Sequence, residues 1–358
     1  MKKNIKKIGA LILIIAMLVS AMSVLAACGK SSSGENGEVR VYSLGDYIDP
    51  DLVGEFEKAT GIKVILDNFD TNEEMYPVIS KGSVDYDVIC TSDYMVQRLI
   101  SEGLIQEINF GNVENISAIE KKYLDMAATY DPGNKYAVPH TFGTLGIMYN
   151  TDEIAEGEIT SWKDLWKEEY KEGGIVMPDS MRDNYAIALK ALGHSINTTN
   201  EAELKAATDY MKEQKPLVYT YANDSARDLA IGGSANIVVV WSGEILYSQE
   251  ENESLEYVVP KEGTEMFLDM WAIPTAAKNK ENAEAWINFM LSSDAAIKNY
   301  EYLTYTIPNK AVIDMVSDDE KVMEYLFPED FADFEMLVSL GAEGDDLYSK
   351  YWKEFKAE

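Results

Sequence analysis

The sequence predicts an α/β protein built from two lobes, with a ligand cleft between them. From Glu38 onward, short apolar runs alternate with amphipathic stretches, which is typical of βα units around a mainly parallel sheet. The alternation restarts after about residue 143. The 331 residues that follow a predicted leader exceed what one hydrophobic core usually holds, and this length favours two lobes.

The leader itself is a signal-peptide pattern over residues 1–27. Four lysines precede an apolar run from Ile8 to Ala27, and the run ends in the small-residue motif of bacterial lipoproteins, Leu25-Ala26-Ala27-Cys28. We therefore predict cleavage before Cys28 and lipidation of its thiol, which anchors the protein without spanning the membrane. The alternative is an ordinary secretory peptide with a chance cysteine. Residues 28–38 are predicted to form the lipidated cysteine and a flexible Ser/Gly-rich tether.

The composition is strongly acidic. The formal net charge is −31, and it becomes −35 when the four leader lysines are removed. This charge argues against nucleic acid and anionic membrane surfaces as partners and favours a cationic ligand, although a solvated acidic surface gives the same composition. With Cys28 assigned to lipid, Cys90 has no disulfide partner and is predicted to be a small core residue.

The first lobe is predicted from four strands and three helices. Asp49 and Pro50 predict a helix start, and Gly61 predicts its end. The predicted strands cover 39–43, 62–66, 87–91 and 104–108, and the remaining helices cover 73–80 and 94–102.

The second part of the chain repeats this pattern. Ser161 is predicted to cap a helix that carries Trp162, Leu165 and Trp166. Extended runs are predicted at 136–139, 146–149, 175–177, 217–221, 237–240, 255–259 and 270–274, helices at 182–192, 202–214 and 283–291, and a helical tail at 319–355.

Signatures of catalysis are missing from the sequence. It contains no nucleophile elbow, phosphate-binding glycine loop, zinc-protease helix or paired-cysteine metal motif. Two histidines, His140 and His194, lie far apart in sequence and are expected to be structural. The sequence therefore favours a hinged, non-enzymatic binding protein that needs no cofactor or metal.

A linear polyamine needs carboxylates for its ammonium groups and flat apolar walls for its methylenes. Aromatic faces serve both needs, because a ring attracts an ammonium and packs against CH₂ groups. Combinations of these residue types follow several predicted strands: Asp46 with Tyr47, Ser92 with Tyr94, Trp241, and Phe267 with Asp269. Any single pair is also expected by chance among 22 tyrosines and 62 acidic residues.

The chain resembles the spermidine/putrescine-binding proteins of bacterial polyamine importers across its mature length. The matching segments include Gly45-Asp46-Tyr47, Thr60 to Val64, Asn72 to Tyr76, Tyr86 to Val88, Thr160 to Trp166, Asn197 to Thr199, and Ala272 to Pro274 followed by Ala277 to Glu281. The resemblance implies a type II periplasmic-binding-protein fold that captures a polyamine by hinge closure. It also implies delivery to an ABC permease with its ATPase subunits, at the outer face of the cytoplasmic membrane or in the periplasm. A monomer is the default expectation for the oligomeric state.

The resemblance also implies a set of ligand contacts. The carboxylates of Asp46, Asp183 and Asp269 are expected to face ammonium groups. The aromatic residues at 47, 94, 241, 267 and 305 are expected to line the methylenes. The full set implied by position is Leu44, Asp46, Tyr47, Ser92, Tyr94, Ser180, Asp183, Trp241, Phe267, Asp269, Tyr305 and Glu335.

The chain departs from the family at two aromatic positions. Leu44 and Phe267 stand where the family commonly has tryptophan, so the aromatic wall is thinner here. A different amine, an amino-acid-like compound or a metal chelate is therefore an alternative ligand. A secreted hydrolase using paired carboxylates is a further alternative. The resemblance places the first lobe at 39–142 plus 268–313 and the second lobe at 143–267 plus 314–358.

Overall fold

The computed structural model describes residues 34–45, 47–223, 225–327 and 334–357. The predicted leader, the lipidation site Cys28 and the predicted contact Asp46 lie outside these ranges. Within the described ranges, no helix has the length and apolar composition needed to cross a bilayer.

The protein is a mixed α/β structure, which confirms the predicted fold class. Its strands form one sheet with the principal order β2-β1-β3-β10-β5-β8-β6-β7, to which β4, β9 and β11 attach at β10, β5 and β10. The strands are β1 Glu38–Leu44, β2 Lys63–Phe69, β3 Val88–Ser92, β4 Ile105–Gln106, β5 Ala137–Asn150, β6 Ile175–Met177, β7 Val218–Tyr221, β8 Ile237–Trp241, β9 Leu255–Val258, β10 Glu265–Pro274 and β11 Glu335–Met336.

The helices flank this sheet, and local signals explain their bounds. The Asp49 carboxylate accepts a hydrogen bond from Asp51 N at 2.9 Å, and Gly61 ends the same helix with φ 71°, as its sequence predicts. The helices are α1 Pro50–Thr60, α2 Asn72–Lys81, α3 Asp93–Ser101, α4 Lys121–Ala127, α5 Met181–Leu192, α6 Glu201–Gln214, α7 Ser225–Ile231, α8 Glu244–Glu251, α9 Lys280–Met290, α10 Ser293–Leu303, α11 Lys310–Val316, α12 Glu320–Leu326 and α13 Gly341–Ala357.

Two long strands connect the halves of the sheet. On one side, β1 pairs in parallel with β2 and β3, and on the other β6 pairs in parallel with β7 and β8. Between them, β5 pairs antiparallel with β10 up to Thr144 and with β8 from Leu145 onward. The chain therefore passes from one half-sheet to the other within a single strand.

The hydrophobic core follows this division. One cluster of buried side chains contains residues of β1, β3 and β10 with Trp286, and others contain residues of β6 and β8. Helix α10 contributes to both sides, because Ala295 packs in the first cluster whereas Ala296 and Tyr300 pack with Val238. The predicted lobe limits remain a prediction.

Two of the predicted helical segments contain other structure. The predicted helix after Ser161 is a short 3-10 turn, Trp162–Trp166, closed by a capping box between Ser161 and Asp164. The predicted helical tail is interrupted by β11, which pairs in parallel with the first residues of β10. Pairing with a distant strand cannot be read from local periodicity.

Candidate ligand-binding cavity

A cavity of 390 Å³ lies at one edge of the sheet, where strands from both halves end. Ligands of open α/β sheets collect at such edges, and this volume is in the range of small-molecule sites. Its lining comes from the ends of β1, β3, β7 and β8, the start of β10 and the turn before α5. The lining residues are Leu44, Gly45, Tyr47, Asp70, Thr71, Asn72, Glu73, Ser92, Asp93, Tyr94, Asp179, Ser180, Asp183, Tyr221, Ala222, Asn223, Ser225, Trp241, Glu265, Phe267, Asp269 and Leu337.

Strand β10 supplies three of these residues by simple alternation. Glu265, Phe267 and Asp269 are two residues apart, so their side chains leave the same face of the strand. Asp269 is 1 % exposed. The Thr141 hydroxyl donates to its Oδ2 at 3.3 Å, whereas Oδ1 has no hydrogen-bond partner among the described residues. Burial raises the pKa of Asp269 to about 6, against the opposing effect of nearby hydroxyl groups.

The start of α5 supplies a carboxylate from the other half of the protein. Ser180 precedes the helix, and Asp183 lies in its first turn and is buried. Burial raises the pKa of Asp183 to about 7, although hydrogen bonding to Ser180 and the charge of Arg182 act in the opposite direction. The cavity lining therefore contains both Asp183 and Asp269, and their contact with a ligand stays a prediction.

The lining of the cavity is rich in carboxyl groups and has no basic side chain among its described residues. Seven of its described residues are acidic, and none is lysine or arginine. Arg182, a buried cation outside this lining, lies against the rings of Tyr94 and Tyr348, with its guanidinium carbon 5.5 Å and 5.1 Å from their centroids. A cleft lined by one sign of charge concentrates ligands of the opposite sign, so this arrangement suits a cation.

Aromatic side chains form the remaining wall. The aromatic lining residues are Tyr47, Tyr94, Tyr221, Trp241 and Phe267, and all but Tyr221 are predicted ligand contacts. Gly143 makes room for this wall, since a Cβ there would lie 2.6 Å from the Phe267 ring. Such flat faces can pack against methylene groups and attract ammonium groups.

Tyr305 is a predicted ligand contact that is absent from the cavity lining. Its ring packs behind the wall, with centroids 5.5 Å from Tyr47 and 6.5 Å from Phe267, and its hydroxyl donates to Glu244 Oε1 at 2.7 Å. A Cβ on Gly243 would lie 2.1 Å from the Tyr305 ring, so the glycine admits it. Tyr305 thus supports the residues that line the cavity.

Glu335 is also absent from the cavity lining. Its carboxylate pairs with Lys190 Nζ at 2.7 Å and accepts a hydrogen bond from Ser195 at 2.6 Å. This ion pair directs the side chain toward the end of α5. By contrast, Leu44, Ser92 and Ser180 line the cavity.

Several lining carboxylates were missed by the sequence interpretation. Glu73 accepts a hydrogen bond from the Tyr94 hydroxyl at 3.3 Å, and Asp179 pairs with Lys356 at 2.8 Å. Asp93 and Glu265 are buried. Glu265 had a usable signal in its spacing from Phe267 and Asp269, but the other three come together only through long-range folding.

His140 has a structural environment. It is 3 % exposed, its ring lies 4.5 Å from that of Trp271, and Nε2 is 3.3 Å from the Tyr47 carbonyl oxygen. Burial lowers the pKa of His140 to about 4, so the imidazole is neutral at physiological pH. Among the described residues, no group of three or more His, Cys, Asp and Glu side chains is arranged to hold a metal ion.

A two-part sheet with an acidic, aromatic cavity at its strand ends defines a solute-binding protein. The chain belongs to the bacterial extracellular solute-binding protein family, whose sequence profile matches residues 51–324. The chain is 32 % identical over 343 residues to the spermidine/putrescine-binding periplasmic protein of Escherichia coli K12, covering 95 % of this chain and 97 % of that protein. It is 29 % identical over 325 residues to the putrescine-binding periplasmic protein PotF of the same organism, covering 86 % and 88 % of the two chains.

Solved structures agree with this assignment. A putative spermidine/putrescine ABC transporter protein from Listeria monocytogenes superposes with a TM-score of 0.85 at 34 % identity, over 89 % of this chain and 98 % of that chain. The spermidine/putrescine substrate-binding protein PotD of Streptococcus pneumoniae, solved with calcium and HEPES, gives a TM-score of 0.74 at 33 % identity over the same shares. The family and these relatives are solute-binding transport proteins.

Proposed function

We propose that this protein captures a linear polyamine outside the cytoplasmic membrane and delivers it to an ABC permease and its ATPase subunits. The observation that carries the proposal is the cavity lining, with seven carboxyl groups, five aromatic side chains and no lysine or arginine among the described residues. Relatives named for spermidine and putrescine binding, at about 30 % identity over most of the chain, support the same ligand class.

The two buried carboxylates have complementary places in this proposal. Asp269 lies on β10 and Asp183 on α5, so one ligand can contact both halves of the protein. Tyr47, Tyr94 and Trp241 face the methylenes between the ammonium groups. A ligand that contacts both halves better when they are closed shifts the protein toward closure, and β5 and β10 are the strands that would bend. Asp46 remains a predicted contact.

Membrane attachment through Cys28 is part of the proposal. The leader ends in the lipoprotein motif, and a diacylglyceryl group on the Cys28 thiol would hold the protein at the outer face of the membrane. In cells, the wild-type protein should partition with the membrane fraction, whereas Cys28→Ser should appear in the soluble fraction or remain uncleaved. Identical partitioning of both forms would contradict lipidation.

Isothermal titration calorimetry of the protein beginning at Glu38 tests the ligand class. Spermidine, putrescine and spermine are titrated separately at modest salt, and at least one should bind with a submicromolar Kd. 1,4-Butanediol keeps the four methylenes of putrescine without its charges and serves as the matched control. Absence of heat and of thermal stabilisation with every amine would refute polyamine binding, and binding of the diol would refute the role of the carboxylates.

A further inference from the structure

Helix α3 and the C-terminal part of the chain meet beside the ligand cavity, although they belong to opposite halves of the protein. Helix α3 follows β3 of the first half-sheet, whereas α13 packs against α5 and α6, which precede β7 of the other. The Tyr348 ring on α13 lies 5.0 Å from the Tyr185 ring on α5. Two polar links cross from α3 to this C-terminal part.

The first link is an ion pair between Arg98 of α3 and Asp345 of α13. Nη1 of Arg98 lies 3.0 Å from Oδ2 of Asp345, and the two side chains are 26 % and 33 % exposed. On its own half, Arg98 is held by Glu102, with Nε 3.0 Å from Oε1, and by the Tyr76 ring, whose centroid lies 3.7 Å from the guanidinium carbon. Because these contacts already position the guanidinium, pairing with Asp345 costs little further side-chain entropy.

The second link joins Gln97 to the segment that follows β11. Ser339 N donates a hydrogen bond to Gln97 Oε1 at 2.9 Å. Asn197, between α5 and α6, holds the same segment, since its side-chain oxygen accepts from Val338 N at 2.9 Å. Leu337 of this segment lines the ligand cavity. Gln97 therefore ties α3 to a part of the cavity wall that the other half fixes.

The surface between the two halves is incompletely packed at this place. A second cavity, of 140 Å³, lies between them and is lined by residues of α3, α5 and α13, among them Met95, Met181 and Ser349. Protein interiors contain few voids larger than a water molecule, so a space of this size is typical of two surfaces that can separate. The halves are therefore joined here by the two polar links more than by apolar packing.

We propose, on the basis of the polyamine-binding function above, that the Arg98–Asp345 and Gln97–Ser339 links form a clasp that holds the two halves together and slows the release of ligand. Contacts that cross between the halves exist only when the halves are closed, so they stabilise the closed state. A ligand enclosed by both halves leaves after they separate. None of the four residues belongs to the described lining of the ligand cavity, so the clasp acts on every enclosed ligand by the same factor.

The test measures association and dissociation rates of spermidine and putrescine by stopped-flow tryptophan fluorescence in the wild type, D345N and E102Q. Glu102 is the matched control, because its carboxylate pairs with the same arginine at the same distance of 3.0 Å but within α3. In D345N the dissociation rate of both amines should rise by about threefold or more, while the association rate stays within about twofold, since affinity differences at one interface lie mostly in dissociation. In E102Q both rates should stay within about twofold of the wild type, because a pair within one helix contributes little.

A double-variant cycle shows whether the two charged side chains act through each other. R98M/D345N should release ligand no faster than the faster of R98M and D345N, because the second substitution has no pair left to break. Multiplied effects of the single variants would overturn direct pairing. Q97M, which removes the acceptor of the second link, should also raise the dissociation rate of both amines, and an unchanged rate would overturn the part of Gln97 in the clasp.

An unchanged dissociation rate in D345N, an equal rise in E102Q or a rise for one amine alone would overturn the clasp. Thermal melts without ligand check that each variant is folded. Binding of no polyamine by the wild type would instead refute the proposed function. Small-angle scattering of the ligand-free proteins then tests the clasp by itself, because D345N should have a larger radius of gyration than E102Q, and equal radii would overturn it.

Discussion

Replacing Asp269 with asparagine should weaken ligand binding and stabilise the empty protein. The carboxylate is 1 % exposed, and burial raises its pKa from 3.8 to about 6. One pKa unit corresponds to about 1.4 kcal/mol, so two units amount to about 3 kcal/mol of destabilisation of the folded state when the group is ionised. The neutral amide removes this cost in part, because it still needs hydrogen-bond partners.

The sign of the pH dependence follows from the raised pKa. The folded protein holds the Asp269 proton more tightly than the unfolded chain, so this stability contribution is present below about pH 4 and is lost as pH rises through about 6. In the empty wild type, the melting temperature should therefore contain a component that decreases from pH 5 to pH 7.5. Asp269→Asn should lack that component and gain about 1 to 3 kcal/mol at pH 7.5.

Binding should change in the opposite direction. Removing one side of a buried charge pair typically costs about 2 to 5 kcal/mol, which corresponds to about 30- to 5,000-fold in Kd. Calorimetry with spermidine measures this loss, and chemical denaturation of the ligand-free proteins measures the gain. Unchanged affinity would refute the role of Asp269 as an ammonium contact. A loss of both affinity and stability would show that Asp269 is structural.

Further predictions concern the wall, the pH response and the packing. Trp241→Ala should weaken spermidine binding by about 1 to 2 kcal/mol in calorimetry, because a ring face beside an ammonium is lost. Trp241→Phe should retain most of the affinity. Equal losses in the two variants would contradict the role of the ring face. Affinity should fall between pH 8 and pH 5.5, since protonation of Asp183, with a pKa of about 7, removes a charge that the ammonium needs; a flat profile by calorimetry would contradict it. Gly243→Ala should lower the melting temperature and cost about 1 to 3 kcal/mol of stability, because its Cβ would lie 2.1 Å from the Tyr305 ring. Gly54→Ala, where a Cβ has no neighbour within 4 Å, should raise the melting temperature. The reverse order would refute the packing argument.

Local signals predicted much of the fold. The Asp49-Pro50 start and Gly61 end of α1 are decided by hydrogen bonds and backbone angles within one segment, and both are confirmed. The predicted runs at 136–139 and 146–149 are parts of one fourteen-residue strand, β5. The residues between them pair with both β10 and β8, which are distant in sequence, so local periodicity does not reveal this pairing.

The positions of several site residues could also be predicted, but not how each side chain packs. The resemblance located Asp183, Trp241 and Asp269 by position, and all three line the cavity. It could not distinguish a residue on the wall from one behind it, so Tyr305 was expected to touch ligand although its ring supports Tyr47. The packing depth of a side chain depends on its neighbours from other elements.

The same carboxylates that attract a ligand also oppose the assembly of an empty site. Asp183 on α5 and Asp269 on β10 come from opposite halves of the protein, and both are buried in the described arrangement. Burying them without a cation costs free energy through desolvation, which raises both pKa values, and through the nearby charges of Glu73 and Asp269, which raise the pKa of Asp183 further. A neutral solute of the same shape cannot offset that cost. Because a ligand shifts an equilibrium only by its differential affinity for two states, we expect charge pairing in this cavity to couple the binding of a polycation to the proposed closure.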